Sequence, residues 1–176
     1  MPKAFVDEMV AHSREEAPNE CCGLVAGKDG HVVKLYRITN SEHSPTRYFM
    51  VPEQLLGALR DMDENEWDLM AIYHSHPTGR AYPSATDVEL AWPDTPYIII
   101  SLLEKDRPDM RAFFVEGKRI SEVEVEVEDE ARQSDVLPNL ESAAFRRYPI
   151  CTGYHCVAIL RAQQPRNNTA RNGVLT

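Results

Sequence analysis

Two histidines one residue apart, in His74-Ser75-His76, are followed at once by Pro77, and Asp87 stands eleven residues after His76. Side chains at i and i+2 of a strand project to the same face, so both imidazoles can reach one ion. Pro77 ends that strand. Pro83-Ser84 suits the opening of a short helix, from which Asp87 can return a carboxylate to the same point. Two imidazoles and one carboxylate leave a fourth tetrahedral position for water, as catalytic rather than structural zinc sites do. Each piece alone is more often structural. A lone His-x-His recurs by chance, and Ser84-Ala85-Thr86-Asp87 also reads as a capping box that satisfies free amides at a helix start. Their joint spacing makes His74, His76 and Asp87 the candidate ligands of one zinc ion.

Other reactive side chains weigh less. Cys21 and Cys22 offer thiols, but cysteines often pack as small apolar residues and no base is evident beside them. Core packing is expected there. Cys151, His155 and Cys156 crowd into six residues without the second ligand pair that a structural zinc site needs, so no second metal is expected. Glu64, Glu66 and Asp68 read as a solvated acidic surface. A cytidine-deaminase-type zinc site is excluded, because no His-x-Glu with a later Pro-Cys-x-x-Cys exists.

The elements that must position these groups follow from periodicity. Phe5, Val6, Met9 and Val10 mark an amphipathic helix over Lys3–Glu16, stopped by Ala17-Pro18-Asn19. Two strand-like runs, Cys22–Ala26 and His31–Ile38, flank Gly27-Lys28-Asp29-Gly30, where Asp-Gly suits a hairpin turn. A polar loop follows over 39–47, and then a second helix begins near Pro52 with the stripe Leu55, Leu56, Leu59 and Met62. Trp67–Tyr73 reads as the buried strand that delivers His74 and His76, and Ser84–Trp92 as a short helix. Tyr97–Leu103 reads as a central strand, with Met110–Val115 and Ile120–Val127 as outer strands. Helices interleaved with mostly antiparallel strands predict a layered α/β fold.

At 176 residues with 43% hydrophobic content, one core is expected. No basic start with an apolar run and no stretch of about eighteen apolar residues is visible, so neither a signal nor a membrane span is expected. The expectation is a cytoplasmic protein with reduced thiols. The net charge is −9, and all 28 acids lie at or before Glu141, whereas the last 35 residues carry five arginines and no acid. Such an acidic body argues against nucleic acid and suits a basic protein partner.

The run His74-Ser75-His76-Pro77, six residues, then Ser84-Ala85-Thr86-Asp87 resembles the JAMM (MPN+) metalloprotease signature, in which H-x-H-P precedes S-x-x-D. That family also places a glutamate on an early strand before glycine and aliphatic residues, a pattern matched by Glu20-Cys21-Cys22-Gly23-Leu24. The similarity extends from about Pro2 to Glu128 and has the character of the compact prokaryotic branch. The resemblance implies a cytidine-deaminase-like MPN layer fold with a mixed, mostly antiparallel sheet flanked by helices. It implies a metalloprotease domain over 1–128; the extension over 129–176 departs from the family's usual ending and is expected to be poorly ordered or of unassigned role.

The resemblance also implies chemistry. Zinc activates a water for attack on a carbonyl. Glu20 takes the water proton and returns it to the leaving amine. Ser84 donates a hydrogen bond to the oxyanion. The implied substrate is an amide or isopeptide bond after the Gly-Gly terminus of a ubiquitin-like sulfur-carrier protein, with cysteine as a released group. Only nine residues separate Asp87 from Tyr97, which leaves no room there for the insertions that grip a second ubiquitin in eukaryotic relatives. A Gly-Gly tail could lie extended beside an edge strand. A homodimer is compatible with the reading. Competing expectations are a deubiquitinase-like isopeptidase and a noncatalytic module of the same fold. A DNA-repair-associated bacterial branch is disfavoured by the acidic body.

Overall fold

The computed structural model describes residues 1–128. The extension from 129 onward, with Cys151, His155 and Cys156, lies outside the described residues. The chain order is α1 (Lys3–Glu16), β1 (Cys22–Lys28), β2 (His31–Ile38), α2 (Pro52–Glu64), β3 (Asp68–His76), α3 (Ala85–Glu89), β4 (Tyr97–Ser101), β5 (Asp109–Glu116) and β6 (Arg119–Val123). The six strands form one sheet in the order β2-β1-β3-β4-β5-β6. Only β3 and β4 pair in parallel, and α3 lies in the crossover between them. The remaining neighbours are antiparallel, as the sequence predicts.

Turn chemistry sets the first hairpin. Asp29 and Gly30 both take positive φ, at 52° and 80°, the arrangement that matches the right-handed twist of paired strands. β1 is then sandwiched between β2 and β3 and buried from Cys22 to Gly27. It needs small and aliphatic residues because both of its faces are covered. Gly23 is the extreme case: a Cβ there would stand 2.2 Å from the Tyr36 carbonyl oxygen and 2.4 Å from the Tyr73 ring.

Strand alternation divides the core into two layers. Met9 of α1 packs with Val25, Tyr73, Ile98 and Ile100 on one face. Ala58 and Met62 of α2 pack with Leu24, Ile72 and Tyr97 on the other. Ile99 and Ile100 are fully buried, and each such side chain contributes about 1.5–3 kcal/mol relative to exposure. His74 and His76 share the parity of Ile72, so they point to the α2 face.

Several strand boundaries differ from the sequence reading; β1 runs on to Lys28 rather than Ala26, and β4 stops at Ser101 rather than Leu103. β3 carries both histidines and stops just before Pro77, as their spacing implies, beyond the Trp67–Tyr73 run that periodicity marks, because His74, Ser75 and His76 pair with Ile99, Ile100 and Ser101 of β4. The alternating run ends as strand at Val123 rather than Val127. Glu128 instead bridges Pro2, and the Met1 amine donates to the Glu126 carbonyl at 2.6 Å. Glu64, Glu66 and Asp68 are exposed, as expected. Among the described residues, no helix is long and apolar enough to cross a membrane.

Candidate metal centre and its groove

The C-terminal end of β3 carries His74 and His76, buried at 0% and 8% relative exposure. Asp87 reaches them from α3. His74 Nε2 lies 3.1 Å from His76 Nε2, and each stands 3.4 Å from an Asp87 carboxylate oxygen. Tetrahedral vertices around a metal with bonds of about 2.0–2.1 Å are about 3.3–3.4 Å apart. The three donor atoms therefore have the spacing of a zinc ligand set, and their chemistry, two imidazole nitrogens and a carboxylate, fits the same ion.

Local sequence explains how the donors are aimed. Ser84 caps α3: its Oγ accepts from the Asp87 amide at 3.2 Å, while its own amide donates to Asp87 Oδ2 at 2.7 Å. The capping box and the ligand reading are thus one geometry. His76 Nδ1 pairs with the Arg80 carbonyl at 2.8 Å, which puts the proton on Nδ1 and leaves the Nε2 lone pair free. His74 is held differently. Tyr48 packs against its ring at 4.7 Å between centroids, and its Nδ1 is buried with no hydrogen-bond partner.

Electrostatics favour ligation. Burial holds the His74 pKa below its ordinary value and keeps that ring neutral. Burial also pulls on His76, but the hydrogen bonds to Asp87 and to the Arg80 carbonyl outweigh it and leave that pKa raised. Burial pushes the Asp87 carboxyl up, yet its hydrogen bonds with His74 and His76 hold it well below the carboxylate range. A stable carboxylate facing two imidazoles is a cation site waiting for charge.

Glu20 joins this site from the segment just before β1. The register pairs Cys22 with His74, and just before it the Cys21 carbonyl accepts from the Ser75 amide at 3.1 Å, which brings Glu20 close enough for His76 and Asp87 to act on its carboxyl. It is only 4% exposed. Burial raises its pKa to about 7, with His76 opposing and Asp87 adding to the rise. A carboxyl near neutrality beside a cation site is suited to accept and return a proton.

Some neighbours carried no sequence signal. Asn40 is buried at the end of β2, where its Nδ2 donates to the carbonyls of Glu20 and Arg47, both at 3.0 Å. Its Oδ1 accepts from the amides of Glu42 and Phe49, also at 3.0 Å. One side chain thus ties Glu20 to the loop that carries Tyr48. A cavity of about 210 Å³ runs from Asp87 between Tyr48, Phe49, Leu90, Trp92 and Tyr97. Phe49 and Leu90 remain 56% and 62% exposed along it. Cys21 and Cys22 are free, buried thiols whose pKa values burial raises, consistent with packing rather than nucleophilic roles.

Comparison with known proteins identifies relatives along most of the described chain. Residues 2–116 match the family described as prokaryotic homologs of the JAB domain. The CysO-cysteine peptidase of Mycobacterium tuberculosis is 36% identical over 126 residues, spanning 70% of this chain and 86% of the relative. The probable TtuB-protein conjugate cleaving protease of Thermus thermophilus is 37% identical over 123 residues, 69% of this chain and 79% of the relative. A protein of Desulfitobacterium hafniense, solved in solution, superposes with a TM-score of 0.67 at 36% identity, covering 74% of this chain and 94% of that one. The chain therefore belongs to the JAB/MPN (JAMM) family, in its compact prokaryotic branch.

Proposed function

We propose that this chain is a zinc-dependent peptidase that hydrolyses the amide bond after the Gly-Gly terminus of a ubiquitin-like sulfur-carrier protein, releasing cysteine. The observation that carries the reading is the triangle of His74 Nε2, His76 Nε2 and an Asp87 oxygen, with buried Glu20 close enough for His76 and Asp87 to act on it. The relatives supply the substrate class, since one is named for CysO-cysteine and another for a TtuB-protein conjugate.

A zinc ion held by these three side chains would supply Lewis acidity, lowering the pKa of a water and polarising the scissile carbonyl. Glu20 accepts the proton as water adds to the carbonyl carbon. It returns that proton to the amide nitrogen as the C–N bond breaks, giving a carrier carboxylate and a free amine. Ser84 Oγ already accepts from the Asp87 amide, so its O–H is free to donate to the oxygen on which charge develops. The cavity beside Asp87 has room for an extended tail. Tyr48, Phe49 and Trp92 line it and would exclude water from the bond.

The test incubates zinc-loaded protein with a carrier ending in Gly-Gly-Cys and follows it by intact mass. Loss of one cysteine residue is expected from the wild type and not from Glu20→Ala. An unchanged carrier with the wild type, or equal cleavage by the variant, overturns the proposal. A second reading, cleavage of isopeptide-linked protein conjugates, is favoured by the name of the Thermus relative, and the same assay with a lysine-linked carrier measures it.

A further inference from the structure

A second recess, of about 450 Å³, opens on the far side of the metal centre from the groove, and three arginines line it: Arg80, Arg107 and Arg111. Ser101, Glu104 and Asp109 are its other polar walls. Arg111 is already engaged, with Nε donating to Glu122 Oε1 at 2.8 Å and Nη2 to Oε2 at 2.5 Å, and Asp109 acts on it as well. Among the described residues, the guanidiniums of Arg80 and Arg107 have no hydrogen-bond or ion-pair partner. With Glu122 on Arg111 and with Glu104 and Asp109 in the walls, the charges around the recess balance overall, yet the two guanidinium forks of Arg80 and Arg107 stay unengaged.

Strand register fixes where this recess lies relative to the bond being broken. The groove contains the row Ile72–Tyr97, the metal centre takes the rows of His74 and His76, and Ser101 of the recess pairs with His76 itself. These rows follow one another along β3 on a single face, with about 6.6–7 Å between alternate residues. Arg80 is also anchored at the centre, because its carbonyl holds His76 Nδ1. A chain that enters by the groove and reaches the metal at its scissile bond leaves its departing group at the recess.

We propose that Arg80 and Arg107 form a carboxylate-binding subsite for the leaving group, making this enzyme selective for a carrier that ends in a free amino acid. The inference rests on the peptidase reading above. Its chemical basis is simple. An amino acid joined through its α-nitrogen carries a carboxylate one carbon from the atom that departs. A lysine joined through its side chain to a protein carries none there. Arginine forks bind carboxylates in a bidentate, charge-assisted way, so they can discriminate the two.

The experiment compares three substrates on one carrier: Gly-Gly-Cys with a free carboxylate, the same chain as its cysteine amide, and Gly-Gly joined to the side-chain amine of a lysine peptide. Zinc-loaded wild type is expected to favour the free acid over the amide by about tenfold in kcat/KM, mainly through KM. The ratio should fall close to one in the double variant Arg80→Gln with Arg107→Gln. Because acid and amide are compared on the same protein, general damage to the centre cancels. Calorimetric binding of the uncleaved acid and amide carriers to Glu20→Gln should show the same preference. Equal rates on acid and amide, faster cleavage of the lysine-linked carrier than of the acid, or a ratio unchanged in the double variant overturns the subsite while leaving the peptidase reading intact. No cleavage of any carrier by the wild type overturns the peptidase reading and the subsite with it.

Discussion

Ser84 and Asp87 bind each other twice: the Ser84 amide donates to Asp87 Oδ2 at 2.7 Å and the Asp87 amide donates back to Ser84 Oγ at 3.2 Å. That same Oδ2 faces His76 Nε2 at 3.4 Å, and Oδ1 faces His74 at the same distance. A helix start of five residues is too short to be stable by itself, so the reciprocal cap does structural and positional work together. It starts α3, and it fixes the Asp87 carboxylate that faces both imidazoles of the candidate metal centre.

Beside this observed cap, the proposed chemistry gives Ser84 a second, separable role. Ser84→Ala should lose the cap, at a cost of about 1 kcal/mol in unfolding free energy, and the oxyanion donor, at a cost of about 10²–10³ in kcat. Ser84→Thr keeps a hydroxyl at the same place and should recover most of both. Steady-state kinetics alongside urea unfolding of the two variants separates the roles. A rate for Ser84→Ala within threefold of wild type would remove Ser84 from the chemistry and leave only the cap.

Metal content and rate should divide the site between ligands and base. His74→Ala removes one corner of the donor triangle and is expected to lose zinc after dialysis, measured by elemental mass spectrometry. Glu20→Gln should retain about one zinc per chain while losing about 10²–10⁴ in rate, the usual contribution of a positioned general base. Loss of zinc in both variants would make Glu20 a ligand instead. Chelation of the wild type should abolish cleavage and re-addition of zinc should restore it.

The parts of this site readable in the sequence are those set by strand parity and helix capping. His74 and His76 had to share a face, and Ser84 with Asp87 had to begin a helix, because both follow from local geometry. The Asp29-Gly30 hairpin was legible for the same reason. Asn40 and Tyr48 were not. Both fall in or beside a stretch that reads as polar loop, and their positions depend on the Glu20 carbonyl and the His74 ring, which are distant in sequence. The end of β6 was misplaced because the alternation through Val127 is real, while the partner at that point is the N-terminal segment rather than a strand.

Close packing in β1 gives a stability prediction free of catalysis. A Cβ on Gly23 would meet the Tyr36 carbonyl oxygen at 2.2 Å, and the Tyr73 ring behind it is fully buried. Neither can yield without moving a neighbouring strand. Gly23→Ala should destabilise by about 3 kcal/mol or more, at the upper end of overpacking costs. Gly57, exposed on α2 with nothing near its Cβ, is the control. Gly57→Ala should stabilise by about 0.5–1 kcal/mol through helix propensity. Thermal melts of the two variants should move in opposite directions.

Acid sensitivity should originate away from the metal centre, at His12. This side chain is 5% exposed, and its Nδ1 lies 2.9 Å from the Tyr73 hydroxyl on the α1 face of the sheet. Burial, with some help from Arg37, lowers its pKa from 6.5 to about 4, while Glu15 opposes the shift. The folded protein therefore holds His12 neutral where the unfolded chain binds a proton. Above pH 6.5 neither state is protonated, and the full stability is present. As pH falls from 6.5 toward 4 the unfolded chain takes up the proton first, so stability drops by about 3 kcal/mol over that window. Arg37 is engaged by Glu15 at the surface, so salt should alter the effect little. The measurement is urea unfolding at pH 7.5, 5.5 and 4.5 for wild type and for His12→Gln, which keeps a polar group near Tyr73 but does not titrate. The variant should start less stable at pH 7.5 and lose less on acidification. Parallel losses in the two proteins would assign the acid sensitivity to other groups.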